Sequence, residues 1–218
     1  LFYNGNTKLA RLRRHVRLIH QQATLTTDSL NYDRKRNIAY YFSGGMIEDS
    51  LNTLTSRWGQ YTPDDHQALF RGNVKLVNSK FVLTADSLGY NTESYQSDLI
   101  GPTTILYEEE TTILSTNGWY NTKTELSQLL DRSLIIHEDG MTLTGDTIFY
   151  DKANGYGRCI GNIESTDSTN QMTLYGDFSE VWEDGNRGYV TDSAMMLACS
   201  DSTAFTYRHA DTLWTEEI

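Results

Sequence analysis

Two adjacent runs decide the fold: Phe70-Arg-Gly-Asn-Val-Lys-Leu76 and Leu83-Thr-Ala-Asp-Ser-Leu-Gly-Tyr90. In the first, Phe70, Gly72, Val74 and Leu76 alternate with Arg71, Asn73 and Lys75. A period of two is the signature of a strand with one buried and one wet face. The second run carries a short tetrad, Ala85-Asp86-Ser87-Leu88, and closes on a tyrosine.

Both runs recur. The tetrad returns as Thr27-Asp28-Ser29-Leu30, Gly145-Asp146-Thr147-Ile148 and Ala210-Asp211-Thr212-Leu213, so the aspartates at 28, 86, 146 and 211 are spaced by 58, 60 and 65. Each long period splits in two. An aliphatic residue, six others and a tyrosine occur as Leu25–Tyr32, Leu54–Tyr61, Leu83–Tyr90, Ile113–Tyr120 and Leu143–Tyr150, with Leu174–Val181 in the next slot. The closing positions 32, 61, 90, 120, 150 and 181 are separated by 29, 29, 30, 30 and 31. A fixed period of this length marks a repeat architecture in which neighbours must stack to bury a core.

After each tyrosine comes a polar turn, as in Asp33–Asn37, Thr62–His66, Asn91–Ser94, Asn121–Thr124 and Asp151–Gly155. Asn, Asp and Gly tolerate turn conformations and bond their own backbone. A further extended run then follows. Ala10 to Ile19 repeats the 68–77 run, with Leu12, Val16 and Leu18 alternating against Arg11, Arg13 and Arg17. Leu126–Leu134 comes nearest to a helical pattern, but its place in the repeat predicts a strand. Each unit of about thirty residues is thus two strands and two turns, used about seven times. The fold class expected is all-β: a twisted, elongated jelly roll, an open stack or a β-helix, as one repeat domain over residues 1–218.

The formal net charge of −11, from 18 basic and 29 acidic residues, argues against nucleic acid as a partner. No run of 18 apolar residues is present, so no transmembrane helix is expected. The sequence opens on Leu1 without a signal-like apolar stretch, which reads as a chain whose leader has been removed. Cys159 and Cys199 are too few for a disulfide framework; free thiols are expected. No phosphate loop, nucleophile elbow, zinc helix motif or EF-hand occurs, so no enzyme, metal or cofactor is expected. A stacked aspartate column could bind Ca²⁺ or act as an acid–base pair. Its company of Ser and Thr in each tetrad instead predicts bonds to backbone near strand ends.

The phrases Leu83–Tyr90 and Phe70–Leu76, with Ile160-Gly-Asn-Ile163 as a second Gly-Asn copy, resemble the OstA/LptA family. The resemblance runs over essentially the whole chain. It implies a periplasmic protein in which an open jelly roll takes the acyl chains of lipopolysaccharide, or a related lipid, for transport to the outer membrane. It also implies edge-strand pairing with other components of a transport bridge, and head-to-tail self-association. On this reading the groove would draw on Leu25, Leu54, Phe70, Val74, Leu76, Leu83, Ile105, Leu143 and Ile163, with Arg14 and Arg17 meeting a head group. The alternative is a glycan-binding or structural β-repeat protein, with Trp58, Trp119, Trp182 and Trp214 as sugar platforms.

Overall fold

The computed structural model describes residues 1–20, 23–185, 187–201 and 204–216. They form two compact units, Leu1–Glu108 and Glu109–Ile218. The first holds β1 (Phe2–Asn4), β2 (Leu9–His20), β3 (Ala23–Asp33), β4 (Ile38–Tyr41), β5 (Gly45–Glu48), β6 (Asn52–Ser56), β7 (Trp58–Thr62), β8 (Gln67–Asn78), β9 (Phe81–Asn91) and β10 (Gln96–Tyr107). The second holds β11 (Thr111–Asn121), β12 (Leu126–His137), β13 (Met141–Asp151), β14 (Tyr156–Asp167), β15 (Met172–Trp182), β16 (Arg187–Thr191), β17 (Met195–Asp201), β18 (Ala204–His209) and β19 (Thr212–Glu216). Helix is confined, among the described residues, to the single 3-10 turns Pro63–Asp65 and Lys152–Asn154.

Within each unit the strands run as an antiparallel meander. β2 pairs with β3, β8 with β9, and β9 with β10; β11 through β15 pair each with the next. Some arms are broken in the middle: β3 pairs with β4 through Asn31 and Tyr40, and with β5 through Thr27 and Gly45. β4 and β5 are therefore two halves of one arm, as are β6 and β7. Antiparallel pairing throughout rules out the parallel β-helix that the repeat alone had left open.

Every second arm bends at the same place, where the continuous alternation expected for residues 70–76 fails. Arg71 pairs with Ser87 and Val74 with Ala85, so Gly72 and Asn73 together oppose the single residue Asp86. This is a β-bulge, which kinks the strand and increases its twist. Both bulge residues are left-handed, with φ of 75° at Gly72 and 52° at Asn73. The same device stands at Arg14-His15, Asp131-Arg132, Gly161-Asn162 and Asp192-Ser193, all with positive φ.

Side-chain acceptors and donors close these bends. The Asp28 carboxylate accepts the His15 bulge amide at 2.9 Å, and the Asp177 carboxylate accepts that of Asn162 at 3.2 Å. Ser29 accepts the amides of Phe42 and Ser43, both at 3.1 Å, where β4 breaks from β5. Thr27 donates to the Gly44 carbonyl at 2.6 Å. Of the tetrad aspartates, Asp28 bonds backbone, at a mid-strand bend and not at a strand end, whereas Asp146 accepts the Asn162 side-chain amide at 2.6 Å and lies 3.8 Å from Arg132. Asp28 bonds there because a bulge frees amides which the ladder no longer serves.

The polar turns are built by their first residue. Asn91 accepts the amides of Glu93 and Ser94, and Asn121 those of Lys123 and Thr124, at 2.8–3.0 Å. Asn4 repeats this with Asn6 and Thr7, which places a further copy of the turn ahead of the first long strand. Leu126–His137 is strand β12, as its place in the repeat required.

Candidate functional site: an aliphatic row along the sheet

Side chains alternate across each arm, so consecutive arms align their inward residues into rows. Next to the bends the row is small and buried: Val16 faces Thr27, Thr27 faces Gly45, Gly45 faces Ser56, and Val74 faces Ala85. One step towards the polar turns lies a packed row in which Phe70 joins Leu88 and Leu88 joins Leu99. Their exposures are 6%, 1% and 4%, so this side is closed core.

On the other side of the bends the row is aliphatic and partly open. Leu18 pairs with Leu25, Leu25 with Ile47, Ile47 with Leu54, Leu54 with Leu76, Leu76 with Leu83 and Leu83 with Ile105. Seven arms in succession place Leu or Ile at one level. Leu54 and Leu83 are buried, Leu25, Ile47, Leu76 and Ile105 are half-buried, and Leu18 is exposed. Their chain neighbours Thr26, Lys75, Thr84 and Thr104 face solvent on the opposite side. In the second unit the corresponding row begins as Ile113, Ile135 and Leu143, and is then interrupted by Ser165 before Leu174 and Met196.

The groove residues expected from sequence therefore divide. Leu25, Leu54, Leu76, Leu83 and Ile105 lie on one continuous row, and Leu143 on the matching row of the second unit. Phe70 belongs to the closed core, and Val74 to the bend at 1% exposure. Ile163, at 4% exposure, sits at the Gly161-Asn162 bend of the second unit, opposite Gly176. Sequence reasoning passed over Leu18 and Ile47, although Ile47 recurs seven residues before Leu54. Arg14 and Arg17 are both exposed; Arg17 alternates with Val16 and Leu18 and so lies on the opposite face from the row.

The tyrosines form a fourth row, beyond the packed one. Tyr32 stands between Ala10 and Ala39, Tyr61 between Ala39 and Ala68, and Tyr90 between Ala68 and Ser97. Large and small residues alternate, so each half-buried ring can spread over a small neighbour on either side. This position is structural. Cys159 and Cys199 are free thiols. Cys159 is 2% exposed, and burial pushes its thiol up to about 11. A depression of about 510 Å³ beside Ser193, Ala194, His209 and Asp211 marks the last bulge, away from the aliphatic row.

Residues 1–86 match the family model described as OstA-like protein. No curated protein matches the chain. Among solved structures, the chain is similar to LptH from Pseudomonas aeruginosa, described as the LptA-homologous periplasmic component of the conserved lipopolysaccharide transport device. The identity is 20%, over 55% of this chain and 78% of that one, with a TM-score of 0.39. The family match spans the meander from β1 into β9, including the first bulge, the first tetrad and the aliphatic row from Leu18 to Leu83. The likeness to OstA-like proteins thus rests on residues 1–86 of the 218.

Proposed function

We propose that the chain is a non-catalytic periplasmic lipid carrier or scaffold of the lipopolysaccharide-transport type, which holds acyl chains along the aliphatic row of its first unit. The observation that carries this reading is the unbroken Leu18–Ile105 row, whose members are only partly covered. Soluble proteins ordinarily bury such a row completely or break it with polar residues. An acyl chain laid across the arms would meet a branched aliphatic side chain at each strand, every ~4.8 Å. Each methylene removed from water contributes about 0.8 kcal/mol, so a long chain needs no reactive group and no metal to be held. The OstA-like match over residues 1–86 covers the arms that supply most of this row.

The head group would remain in solvent beside the row. Arg17 would meet it only where it folds over the edge of β2, since it faces away from the row, and Arg14 would do so from the exposed bulge. The repeat is proposed to act as one functional domain through residues 1–218. Its edge strands are the surfaces for pairing with bridge components or with a second copy, because an unpaired edge offers free N–H and C=O groups.

Native mass spectrometry with and without added lipopolysaccharide tests this. The wild type is expected to carry lipid adducts. Leu76→Asp, which places a charge in the half-buried row, should lose them, whereas Val77→Asp on the opposite, exposed face should keep them. Adducts that survive Leu76→Asp in a folded protein would sink the row as the site.

A further inference from the structure

The second unit carries a feature that the lipid reading leaves unused. On the face opposite its interior rows, Phe149, Tyr156, Trp182, Tyr189 and Trp214 form a chain of neighbouring rings. Successive centroids are 6.3, 5.8, 6.0 and 4.8 Å apart. The rings come from β13, β14, β15, β16 and β19, so the stripe crosses the strands instead of following one. Its outward orientation follows from register. Phe149 faces Arg158, Arg158 faces Glu180, Glu180 faces Tyr189 and Tyr189 faces Trp214, while the alternate residues Ile148, Cys159 and Val190 are buried. Trp214, at the end of the stripe, is 68% exposed.

Charged groups are set among the rings and held in place. Glu180 accepts a hydrogen bond from the Tyr156 hydroxyl and another, at 2.6 Å, from that of Tyr189. The Arg158 guanidinium lies 5.6 Å from the Phe149 ring centroid and that of Arg187 lies 5.5 Å from the Trp182 ring. Rings, carboxylate and guanidinium groups thus share one surface, with two of the phenols locked to a common acceptor.

We propose that this stripe is a saccharide-binding platform, taking an extended glycan chain laid across β13 to β19. The chemistry selects this occupant. Sugar rings present apolar C–H faces that stack on aromatic planes, and their hydroxyls seek fixed carboxylate and guanidinium partners at the margins. A lipid tail would prefer a dry concave surface without charges. A single-stranded nucleic acid would stack equally well, but the net charge of −11 opposes it. Tyr and Trp also give large contact area at little cost in conformational entropy. The proposal stands apart from the lipid site, which lies in the other unit.

Affinity electrophoresis tests it, in native gels cast with dextran, laminarin or delipidated O-polysaccharide. At least one glycan should retard the wild type. The Tyr189→Ala/Trp214→Ala variant should lose at least fivefold of that retardation, and Trp214→Ala, altering an exposed ring, should lose part of it with an unchanged circular dichroism spectrum. Leu76→Asp should be retarded like the wild type. No retardation by any of the three glycans, equal retardation of the folded double variant, or binding only to intact lipopolysaccharide and abolished by Leu76→Asp, would each overturn the assignment.

Discussion

The Tyr41 hydroxyl lies 2.5 Å from the Ser56 hydroxyl, with both residues buried, and its ring occupies the space above Gly45 and Gly59. A Cβ at Gly59 would stand 2.5 Å from the Tyr41 ring, and one at Gly45 would stand 2.6 Å from it. The space over Gly45 and Gly59 is thus plugged by a tyrosine at the level where the packed row holds Phe70, Leu88 and Leu99. Gly59→Ala should cost about 1–3 kcal/mol by overpacking, read as a lower midpoint in thermal unfolding. Tyr41→Leu combined with Gly59→Ala should recover part of the loss. Equal stability of Gly59→Ala and wild type would mean the ring is not confined.

The Asp28 carboxylate serves the amide of the His15 bulge at 2.9 Å. Asp28→Ala removes the acceptor and should cost about 1 kcal/mol, the usual worth of such a bond. Asp28→Asn keeps an acceptor oxygen and should cost less. Urea denaturation separates the two; equal costs would assign the aspartate to its charge and not to its hydrogen bond.

Cys159 gives a pH dependence whose sign is fixed. Burial raises its thiol from 9.0 to about 11, so the folded protein holds the proton more tightly than the unfolded chain. The associated stability is complete below about pH 9 and is lost as pH rises through about 11. Cys159→Ala should flatten the decline in stability over that window. In the wild type at pH 8, Cys159 should resist iodoacetamide until urea is added, since thiolate is the reactive form and the group is buried. Rapid labelling of folded protein at Cys159 would contradict the packing.

Ser165 interrupts the aliphatic row of the second unit between Leu143 and Leu174. Ser165→Leu should join the two segments and raise lipid occupancy in native mass spectrometry, whereas Ser165→Ala should change it little. Unchanged occupancy with leucine would place all acyl binding elsewhere.

Much of the fold was legible because the repeat is written in residues with local jobs. Asn91 and Asn121 announce turns that they build themselves, and the tetrad around Asp28 announces a backbone hydrogen bond, though not the bend that it closes. The bulges were not legible: the run around Gly72-Asn73 reads as an unbroken alternation, and the register shifts there. Arg14-His15, Asp131-Arg132 and Asp192-Ser193 take the same left-handed conformation without glycine. There the flanking ladders impose a geometry that local preference does not signal. The aliphatic row needed register, since Leu25, Ile47 and Leu76 become neighbours only once the arms are aligned around the bulges. Of the aromatic stripe, the sequence offered Trp182 and Trp214 as sugar platforms but not Phe149, Tyr156 and Tyr189, because the five rings meet only across strands.

The meander also has a kinetic side. The most distant pair in the registered ladders within either unit is Arg187 with Glu216, 29 positions apart, and most pairs are closer. All-β proteins usually fold slowly because their chains must first close long loops. Here each arm can zip onto the one before it, so folding should spread outward from any well-formed hairpin. The mean sequence separation of contacting residues is set by the repeat length, and adding further units would lengthen the protein without slowing its nucleation.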